Sequence, residues 1–596
     1  MPSDAGLRKR KKGNNSAKVK SEAEEQDALV GLLNGGTGKT GFFLYIALVL
    51  GTAGFVLWQN PSWSNQLLSF FGSSTPSGTP TSAPTGSTPY VVDFTADVPK
   101  RQAVVDAFKH AWLAYERDAM GADEYHPISH KGSNLSDAGG IGYTIVDSID
   151  TMQIMGLTDE YERARDWVEK KLDFNKDGKF NTFETTIRVL GGLLSAYHFS
   201  SDPLFLDKAK DLADRILPAF DTPSGLPVSM INLAQRVGVS DVDNRGLVST
   251  AEASTLQLEF RYLSLLTDDE EYWRKAEKVM QVIKGAHLAT GLASIFMNPE
   301  DGRFVLAAIR LGSRGDSYYE YLLKQYIQTN MTELVYRDMY DDAMNGVHQH
   351  LIQKSYKAGL IYISELIPEH NRMGSDITWR LSPKQDHLVC FFGGSLMLGA
   401  TVTGAINPPV SIPPQQHEFT EQGWRDWNTG KGLTETCVKT HDTATGLSPE
   451  IVHFRIPRDG LDGTVAPDDW YIKGARRGEP PPYDARYILR PETVESLFIA
   501  FRLTGDPRYR AQGWSIFQAI EKHCKVPTGG YASILNVDEV PAEMEDKMET
   551  FLMSETLKYL YLLFDDATTL PLSEYVFNTE AHPLPIFNPT IRTGFS

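Results

Sequence analysis

Residues 200–205 read SSDPLF, and the pattern returns as TDDEEY at residues 267–272 and as TGDPRY at residues 504–509. In each copy an apolar helical pattern ends in a polar turn, which is followed by Asp, two residues and an aromatic side chain. The aspartate is a natural N-cap, because its carboxylate accepts hydrogen bonds from the free amides of a first helical turn. The aromatic side chain is expected to pack back onto the preceding helix. This joint therefore predicts repeated helical hairpins.

The spacing of the joints decides between two architectures. A looser fourth copy, LTDEYERA, surrounds Asp159. Helical hairpins that repeat in this way build either a superhelical solenoid or a closed ring. The copies are irregularly spaced, with a long segment between Asp269 and Asp506, which disfavours a regular solenoid. Since strand-like alternation is scarce, we predict an all-α fold, organised as a closed α/α barrel.

The first 95 residues differ in composition from the rest. Residues 1–40 carry a net charge of +3 and are predicted to form a cytosolic basic tail. Residues 41–58, GFFLYIALVLGTAGFVLW, are uncharged and would span roughly 27 Å as a helix, enough for one transmembrane signal anchor. The basic residues before it should stay in the cytosol. Residues 59–95 are predicted to form a Ser/Thr/Pro-rich stem, and residues 96–596 a lumenal domain.

Charge and cysteine content limit the function classes. The whole chain is at −18, so the part after the basic tail carries −21, which makes binding to nucleic acid improbable. Asn134 and Asn330 begin N-x-S/T tripeptides and are candidate glycosylation sites in a lumen. Three cysteines predict one disulfide and one free thiol, with three pairings open. None lies in a close Cys or His cluster, so a zinc site is disfavoured.

Residues 173–188, DFNKDGKFNTFETTIR, support two incompatible interpretations. Asp173, Asn175, Asp177 and Glu184 fit positions 1, 3, 5 and 12 of a calcium-binding EF-hand loop. Alternatively, Glu184 starts a helix at the mouth of a cavity and acts as a general acid, with Arg188 one turn further on. The EF-hand interpretation predicts a second, paired loop, which the sequence lacks, so we favour the second interpretation.

Further acidic side chains occur where predicted helices begin, beside aromatic residues and prolines. Any single one has an ordinary explanation, because an acid in a first helical turn interacts favourably with the helix dipole. A barrel whose helix ends converge would instead gather them into one acidic, aromatic-lined pocket suited to a sugar. The motifs are FETTIR, SRGDSYYEYLLK, GLSPEI, LRPETVESLF, SETLKYLYLLF and FNTEAHP, with VDSIDTM besides.

From about residue 101 to residue 583 the chain resembles the class I α-mannosidases of glycoside hydrolase family 47. The resemblance is carried, in order, by AFKHAWLAYERDAMGADEYHP, GGIGYTIVDSIDTM, FETTIRVLGGLLSAYH, GDSYYEYLLK, DHLVCF, TGLSPEI, LRPETVESLF, SETLKYLYLLF and FNTEAHP. It implies an (α/α)7 barrel plugged by a small C-terminal β-hairpin. It also implies trimming of terminal α-1,2-linked mannose from high-mannose N-glycans, with inversion.

The same resemblance implies roles for individual residues. Glu184 is the expected general acid and Glu492 the expected general base, with Asp316 and Glu450 as further essential carboxylates. Inversion implies that the acid and the base lie roughly 6.5–9.5 Å apart. The resemblance further implies sugar contacts, a calcium ion held directly by one residue and by acids through water, and a disulfide. The implied sugar contacts are Arg188, His387 and Phe551. Calcium is expected to be held directly by Thr579, and through water by Glu495, Glu555 and Glu580. The implied disulfide joins Cys390 and Cys437.

Without the resemblance, Arg188 is equally well explained as half of a surface ion pair, and His387 as a core histidine. Arg314, two residues before Asp316, resembles the endoplasmic reticulum branch, in which arginine restricts trimming largely to one mannose. We therefore expect a monomeric enzyme in the endoplasmic reticulum membrane, with a Golgi-type mannosidase as an alternative. A lectin-like relative that binds mannose glycans with weak hydrolysis is a second alternative, which the complete carboxylate set and the cysteine pair disfavour.

Overall fold

The computed structural model describes residues 90–596 except 287, 289, 371–376, 457–467 and 477. The predicted basic tail, transmembrane anchor and most of the predicted stem lie outside the described residues. Among the helices of the described part, none is both long and apolar enough to cross a membrane.

Helices form the scaffold of the described chain. The α-helices are α1 Val98–Ala119, α2 Tyr143–Met155, α3 Thr158–Lys170, α4 Thr182–Glu184, α5 Gly191–Ser200, α6 Pro203–Ile216, α7 Thr250–Ala253, α8 Gln257–Thr267, α9 Glu270–Gly285, α10 Asp316–Gln328, α11 Leu334–His350, α12 Phe391–Val402, α13 Glu421–Lys439, α14 Glu492–Thr504, α15 Pro507–His523 and α16 Leu557–Phe564. Two π-helical turns, Thr185–Leu190 and Leu552–Thr556, lead into α5 and α16. Short 3-10 helices lie at Leu217–Phe220, His387–Cys390, Gln416–Glu418 and Tyr483–Ala485.

The helices pack as hairpins that close into a ring. Within the described residues the packed pairs are α2 with α3, α5 with α6, α8 with α9, α10 with α11, α12 with α13, α14 with α15, and α16 with α1. The first member of each pair contacts the first member of the next, from α2 round to α16. The π-helical turn before α16 contacts α2, which closes the circuit. The architecture is therefore a closed helical barrel and not an open solenoid.

The helix joints explain part of this arrangement. Asp202, Asp269 and Asp506 are N-caps, and each carboxylate accepts the amide N–H two residues further on at 3.0 Å. The predicted caps are thus confirmed at three of the four copies. The prediction was wrong at Asp159, because α3 begins one residue earlier, at Thr158, and its cap has no side-chain hydrogen bond. Asp159 instead lies in the first turn of α3.

Short strands connect the helix ends; apart from the C-terminal hairpin, the prediction of an all-α fold did not include them. They are β1 Glu124–His126, β2 Lys131–Ser133, β3 Lys179–Asn181, β4 Met230–Asn232, β5 Val237–Val239, β6 Val248–Ser249, β7 Phe296–Met297, β8 Ile352–Lys354, β9 Ile361–Ile363, β10 Glu365–His370, β11 Ile377–Ser382, β12 Lys384–Asp386, β13 Ile451–Phe454, β14 Trp470–Tyr471, β15 Ser533–Ile534, β16 Met544–Glu545, β17 Tyr575–Phe577 and β18 Pro583–Pro585. They form small antiparallel sheets of two or three strands, which pair the main-chain groups of the connecting segments.

The last hairpin, β17–β18, enters the ring. Phe577 packs against Phe498 of α14 and Tyr559 of α16, with ring centroids 5.6 and 5.7 Å apart. The hairpin also contacts α5 and α10 on the other side of the ring. Its loop, residues 578–582, is thereby placed among the inner helices.

Close packing and a covalent bond tie α12 to its neighbours. A Cβ atom at Gly394 would lie 2.9 Å from the Cα of Ser496 in α14, so only glycine permits this approach. Cys390 and Cys437 form a disulfide that joins the start of α12 to α13, while Cys524 is buried and free. This is the pairing that the family resemblance implied.

We predict that Cys437→Ala lowers the midpoint of thermal unfolding by roughly 4 °C. Opening a loop of 47 residues frees unfolded-chain entropy worth about 4 kcal/mol. The control is Cys524→Ala, which removes a buried sulfur but no cross-link. Calorimetry of both variants should show the larger loss for Cys437→Ala, and equal losses would contradict this role of the disulfide.

Candidate active site

A cavity of about 680 Å³ collects the acidic motifs. Its wall includes Asp316 and Glu492, the first residues of α10 and α14, together with Glu184 at the end of α4. Thr579, from the loop of the last hairpin, also lines it. Helix N-termini favour negative charge, so the fold itself lowers the cost of placing these carboxylates together.

Glu184 lies at the cavity wall with its side chain 37% exposed. Asn181 caps the helix by accepting the Glu184 amide N–H at 2.8 Å, which fixes the backbone there. The Glu184 carboxylate accepts hydrogen bonds from Arg188 Nε at 2.8 Å and from the Tyr143 hydroxyl at 3.3 Å. A carboxyl group that is solvent-accessible yet held by two donors is well placed to exchange a proton with a bound substrate.

Arg188 connects Glu184 to the cavity floor. It lies within the π-helical turn Thr185–Leu190, and its guanidinium pairs with Glu580 and lies 3.5 Å from Asp147. The Arg188 guanidinium also stacks over Phe551, 5.7 Å from the ring centroid. Burial lowers the pKa of Arg188, but the charges of Glu580, Glu184 and Asp147 outweigh it and raise that pKa well above its ordinary value. Arg188 is therefore a permanently charged link between three acids.

Asp316 and Glu320 lie one turn apart on α10. Burial, followed by repulsion from Glu320 and other acids, raises the pKa of Asp316 to about 7. Glu320 accepts a hydrogen bond from the Thr579 hydroxyl at 2.9 Å and pairs with Lys324. The Asp316 carboxyl group can thus hold a proton close to neutral pH.

Glu492 and Glu450 share one arginine. Arg490 donates from Nε to Glu450 at 2.7 Å and from Nη1 to Glu492 at 3.3 Å. The second oxygen of Glu492, Oε2, is buried and accepts no hydrogen bond from the described residues. Burial raises the pKa of Glu492, although the Arg490 charge opposes this.

Three further acids surround the floor. Burial raises the pKa of Glu495 to about 8, with Lys324 opposing the shift, and raises the pKa of Glu555 and Glu580 well above the ordinary range. Mutual repulsion adds to the shift at Glu555, where Glu580 is the strongest neighbour. Isolated buried charges of one sign are unfavourable. The floor therefore holds more carboxyl groups than Arg188 and Lys324 can neutralise, and the raised pKa values favour protons on them.

The structure places the other predicted residues as follows. Arg314 and Phe551 line the cavity. Glu450 and His387 are buried and are not among the described residues of the wall. Glu450 lies behind Arg490, and His387 Nε2 lies 2.8 Å from the hydroxyl of Thr493, next to Glu492. Burial lowers the pKa of His387 well below its ordinary value.

Sequence reasoning missed Glu252, a further wall residue. Burial and the neighbouring Glu184 charge raise the pKa of Glu252 to about 7. It is the acid in the first turn of the four-residue helix α7, whose N-cap is Ser249. That capping pattern is common, so the sequence carried no distinguishing signal. Glu549, a wall residue outside the helices whose pKa is also raised by burial, was missed as well.

The EF-hand interpretation fails at Glu184, the residue that both interpretations of this segment use. Glu184 faces the cavity and Arg188, while Asp177 accepts amide hydrogen bonds from Asn232 and Gln235 at 2.8 and 2.7 Å. Throughout the described chain, no group of three or more His, Cys, Asp or Glu side chains is arranged to hold a metal ion. Residues 173–178 form a loop in which Asp173, Asn175 and Asp177 are exposed, while Phe174 is buried in the core.

Comparison with known proteins agrees with this geometry. The glycosyl hydrolase family 47 model matches residues 107–586. The chain belongs to glycosyl hydrolase family 47. A family 47 relative from Candida albicans, a mannosyl-oligosaccharide 1,2-alpha-mannosidase, is 47% identical over 83% of this chain and 84% of its own. An endoplasmic reticulum enzyme of the same name from Schizosaccharomyces pombe is 43% identical over 82% of this chain and 89% of its own.

A solved structure extends the family 47 comparison to three dimensions. The α-1,2-mannosidase from Trichoderma reesei superimposes with a TM-score of 0.70 at 28% identity, over 83% of this chain and all of that chain. The helical barrel described above is thus shared with a member that is distant in sequence.

We predict that Asp316→Asn raises the midpoint of thermal unfolding, measured with chelator, more at pH 8.5 than at pH 5. In the unfolded chain Asp316 releases its proton near pH 3.8, and in the folded protein near pH 7. The stability that this raised pKa contributes is present below pH 4 and is lost as pH rises through 7. A neutral amide avoids that loss, so the difference between the two pH values should be roughly 3 °C.

An equal effect at both pH values would contradict the raised pKa. Asp106→Asn, at an exposed position on α1, is the matched control and should change the unfolding midpoint little at either pH.

Proposed function

We propose that this protein is an inverting glycosidase that removes terminal α-1,2-linked mannose from high-mannose N-glycans. Family membership and the activity named for its relatives support the reaction and the substrate class. The observation that carries the proposal is the convergence of Glu184, Asp316 and Glu492 on one cavity. Inverting hydrolysis needs a carboxylic acid to protonate the leaving oxygen and a carboxylate to activate water on the opposite face.

Glu184 is the proposed general acid. Its position at the wall, 37% exposed, lets it reach a glycosidic oxygen and take up a proton again from solvent. Asp316 is the alternative acid, because its pKa near 7 keeps a proton available at neutral pH. Under either assignment, both Glu184 and Asp316 face the bound sugar.

Glu492 is the proposed general base. Arg490 binds one of its oxygens, and the other, buried and without a donor among the described residues, has a lone pair available for the proton of water. Glu450 fixes Arg490 through two hydrogen bonds and so orients Glu492 from behind the wall. Glu450 is then a positioning residue for the base.

The cavity floor fits the calcium ion that the family resemblance implies. Calcium prefers oxygen ligands and keeps several waters. Thr579 offers a carbonyl and a hydroxyl, and Glu495, Glu555 and Glu580 offer carboxylates that can hold water ligands. The floor has more carboxyl groups than cations, and burial raises their pKa; a divalent cation would displace the protons and offset the charge of the ionised groups. Bound there, calcium would coordinate hydroxyl oxygens of the mannose.

The proposed setting is the endoplasmic reticulum, with the catalytic domain lumenal and residues 41–58 as the anchor. Relatives named as endoplasmic reticulum enzymes support the compartment. Arg314 lines the cavity, donates a hydrogen bond to Asn244 at 2.7 Å and stacks over Phe296. These contacts hold its guanidinium at the cavity wall, near Asp316. This supports trimming of one mannose over the broader trimming of a Golgi-type enzyme. The lectin-like alternative is disfavoured, because all proposed acid and base groups are present.

We predict that the lumenal part converts a nine-mannose glycan to an eight-mannose product with calcium, and that a chelator abolishes release. Proton NMR during the first turnovers should show β-mannose, because inversion of an α-linkage yields the β-anomer. Release that continues in chelator, or α-mannose as the first product, would contradict the mechanism.

The matched variant is Glu492→Gln, which keeps the shape of the site and removes the base. It should lower kcat by at least about 100-fold while glycan binding persists. Full activity of Glu492→Gln would remove Glu492 from the role of base.

A further inference from the structure

A β-ribbon extends from the wall of the catalytic cavity. Strands β10 and β11 pair antiparallel over six residues each. At the base of the ribbon, Leu366 and Ile309 exchange two main-chain hydrogen bonds of 2.9 Å. The chain then continues from Ile309 to Ser313 and Arg314, which line the cavity. The first strand of the ribbon is thus fixed to one segment of the wall.

The second strand returns to the same wall. After β11, Lys384 pairs with Glu365 at the base of the ribbon at 2.9 Å. Asp386 accepts the Ser313 amide N–H at 3.3 Å, and Leu388, two residues later, lines the cavity. The ribbon therefore leaves the protein between two segments of the cavity wall.

One face of this ribbon is mostly apolar. The register pairs Leu366 with Leu381, Pro368 with Trp379 and His370 with Ile377, so these residues share one side of the ribbon. Ile377 and Trp379 are each 43% exposed. Since residues in a strand rise about 3.3 Å each, Trp379 stands roughly 7 Å beyond the base of the ribbon. Exposed apolar surface of this kind, at a substrate cavity, marks a binding surface.

The opposite face of the ribbon is polar and solvated. Glu369 pairs with Arg380 at 2.6 Å, and the Thr378 hydroxyl donates to the Glu369 carbonyl. The ribbon is therefore two-sided. Its polar face, which also carries Ile367, is adapted to water, while on its mostly apolar face Leu366 packs against the protein core and Ile377 and Trp379 are exposed.

We propose that the apolar face of the ribbon, formed by Leu366, Pro368, Ile377, Trp379 and Leu381, binds apolar polypeptide next to the glycosylation site of the substrate. This inference rests on the proposed function. An N-glycan is tethered to its polypeptide, so a glycan that enters the cavity brings the flanking chain to the rim. A tethered second contact acts at high effective concentration and strengthens binding without tight intrinsic affinity.

The chemistry of the face favours polypeptide over further sugar residues. Apart from the indole N–H of Trp379 and the imidazole of His370, the side chains of this face have no hydrogen-bonding group. A mannose residue pressed against Leu, Ile and Pro would leave hydroxyl groups unpaired, which is unfavourable. Apolar side chains of a polypeptide have no such cost. Because folded proteins bury most of these side chains, the surface would select unfolded glycoproteins.

The test compares the double variant Ile377→Ala, Trp379→Ala with the wild type on three substrates. These are a free nine-mannose glycan, a native high-mannose glycoprotein, and the same glycoprotein reduced and alkylated. We expect the variant to raise KM about five- to tenfold for the unfolded glycoprotein only, with kcat unchanged. Thr378→Ala, on the opposite face of the same strand, is the matched control and should behave as the wild type.

Each other outcome contradicts the proposal. An equal loss on the free glycan would mean that the face contacts sugar. Unchanged KM on all three substrates would mean that it has no role in substrate binding, and a lower solution mass of the variant would mean that it joins two copies of this chain. A wild type unable to trim the free glycan would refute the proposed function instead, so the two failures are distinguishable.

Discussion

The buried guanidinium of Arg188 is the interaction on which the site depends. It pairs with Glu184 at the cavity wall and with Glu580 at the floor, and it lies near Asp147 behind them. Asp147 lies 3.1 Å from His582, and His582 and Lys558 both contact the buried Asp150. The proposed acid is thus connected to the interior through alternating charges. Removing any member of such a buried chain leaves an uncompensated charge.

This arrangement explains why the site is built at helix ends inside a ring. Many carboxylates can share one cavity only where helix dipoles, buried cations and a bound metal offset their repulsion. The closed barrel points the N-termini of α10 and α14 at the cavity and places the Thr579 loop among the inner helices. The raised pKa values of Asp316 and Glu495 reflect their burial first and the remaining repulsion from neighbouring acids second. Stability is lowered at the site so that protons and a cation can be held there.

Much of the fold was readable from the sequence, because a helix joint is local. The aspartates at 202, 269 and 506 cap helices by contacts two residues away, and three copies sufficed to predict hairpins. The copy at Asp159 failed because helix α3 starts one residue earlier, a boundary that propensity does not fix. The π-helical turns that hold Arg188 and Glu555 depend on tertiary packing and have no sequence signature. Glu252 resembled an ordinary first-turn acid, and only burial beside Glu184 distinguishes it.

We propose that the floor of the cavity requires a divalent cation. The most direct measurement is calorimetric titration of metal-free protein with calcium at pH 7, repeated in two buffers of different ionisation enthalpy. We expect one saturable calcium site and release of protons on binding, since carboxyl groups with raised pKa must ionise to hold the ion and its waters. Absence of saturable binding, or binding without proton release, would contradict it.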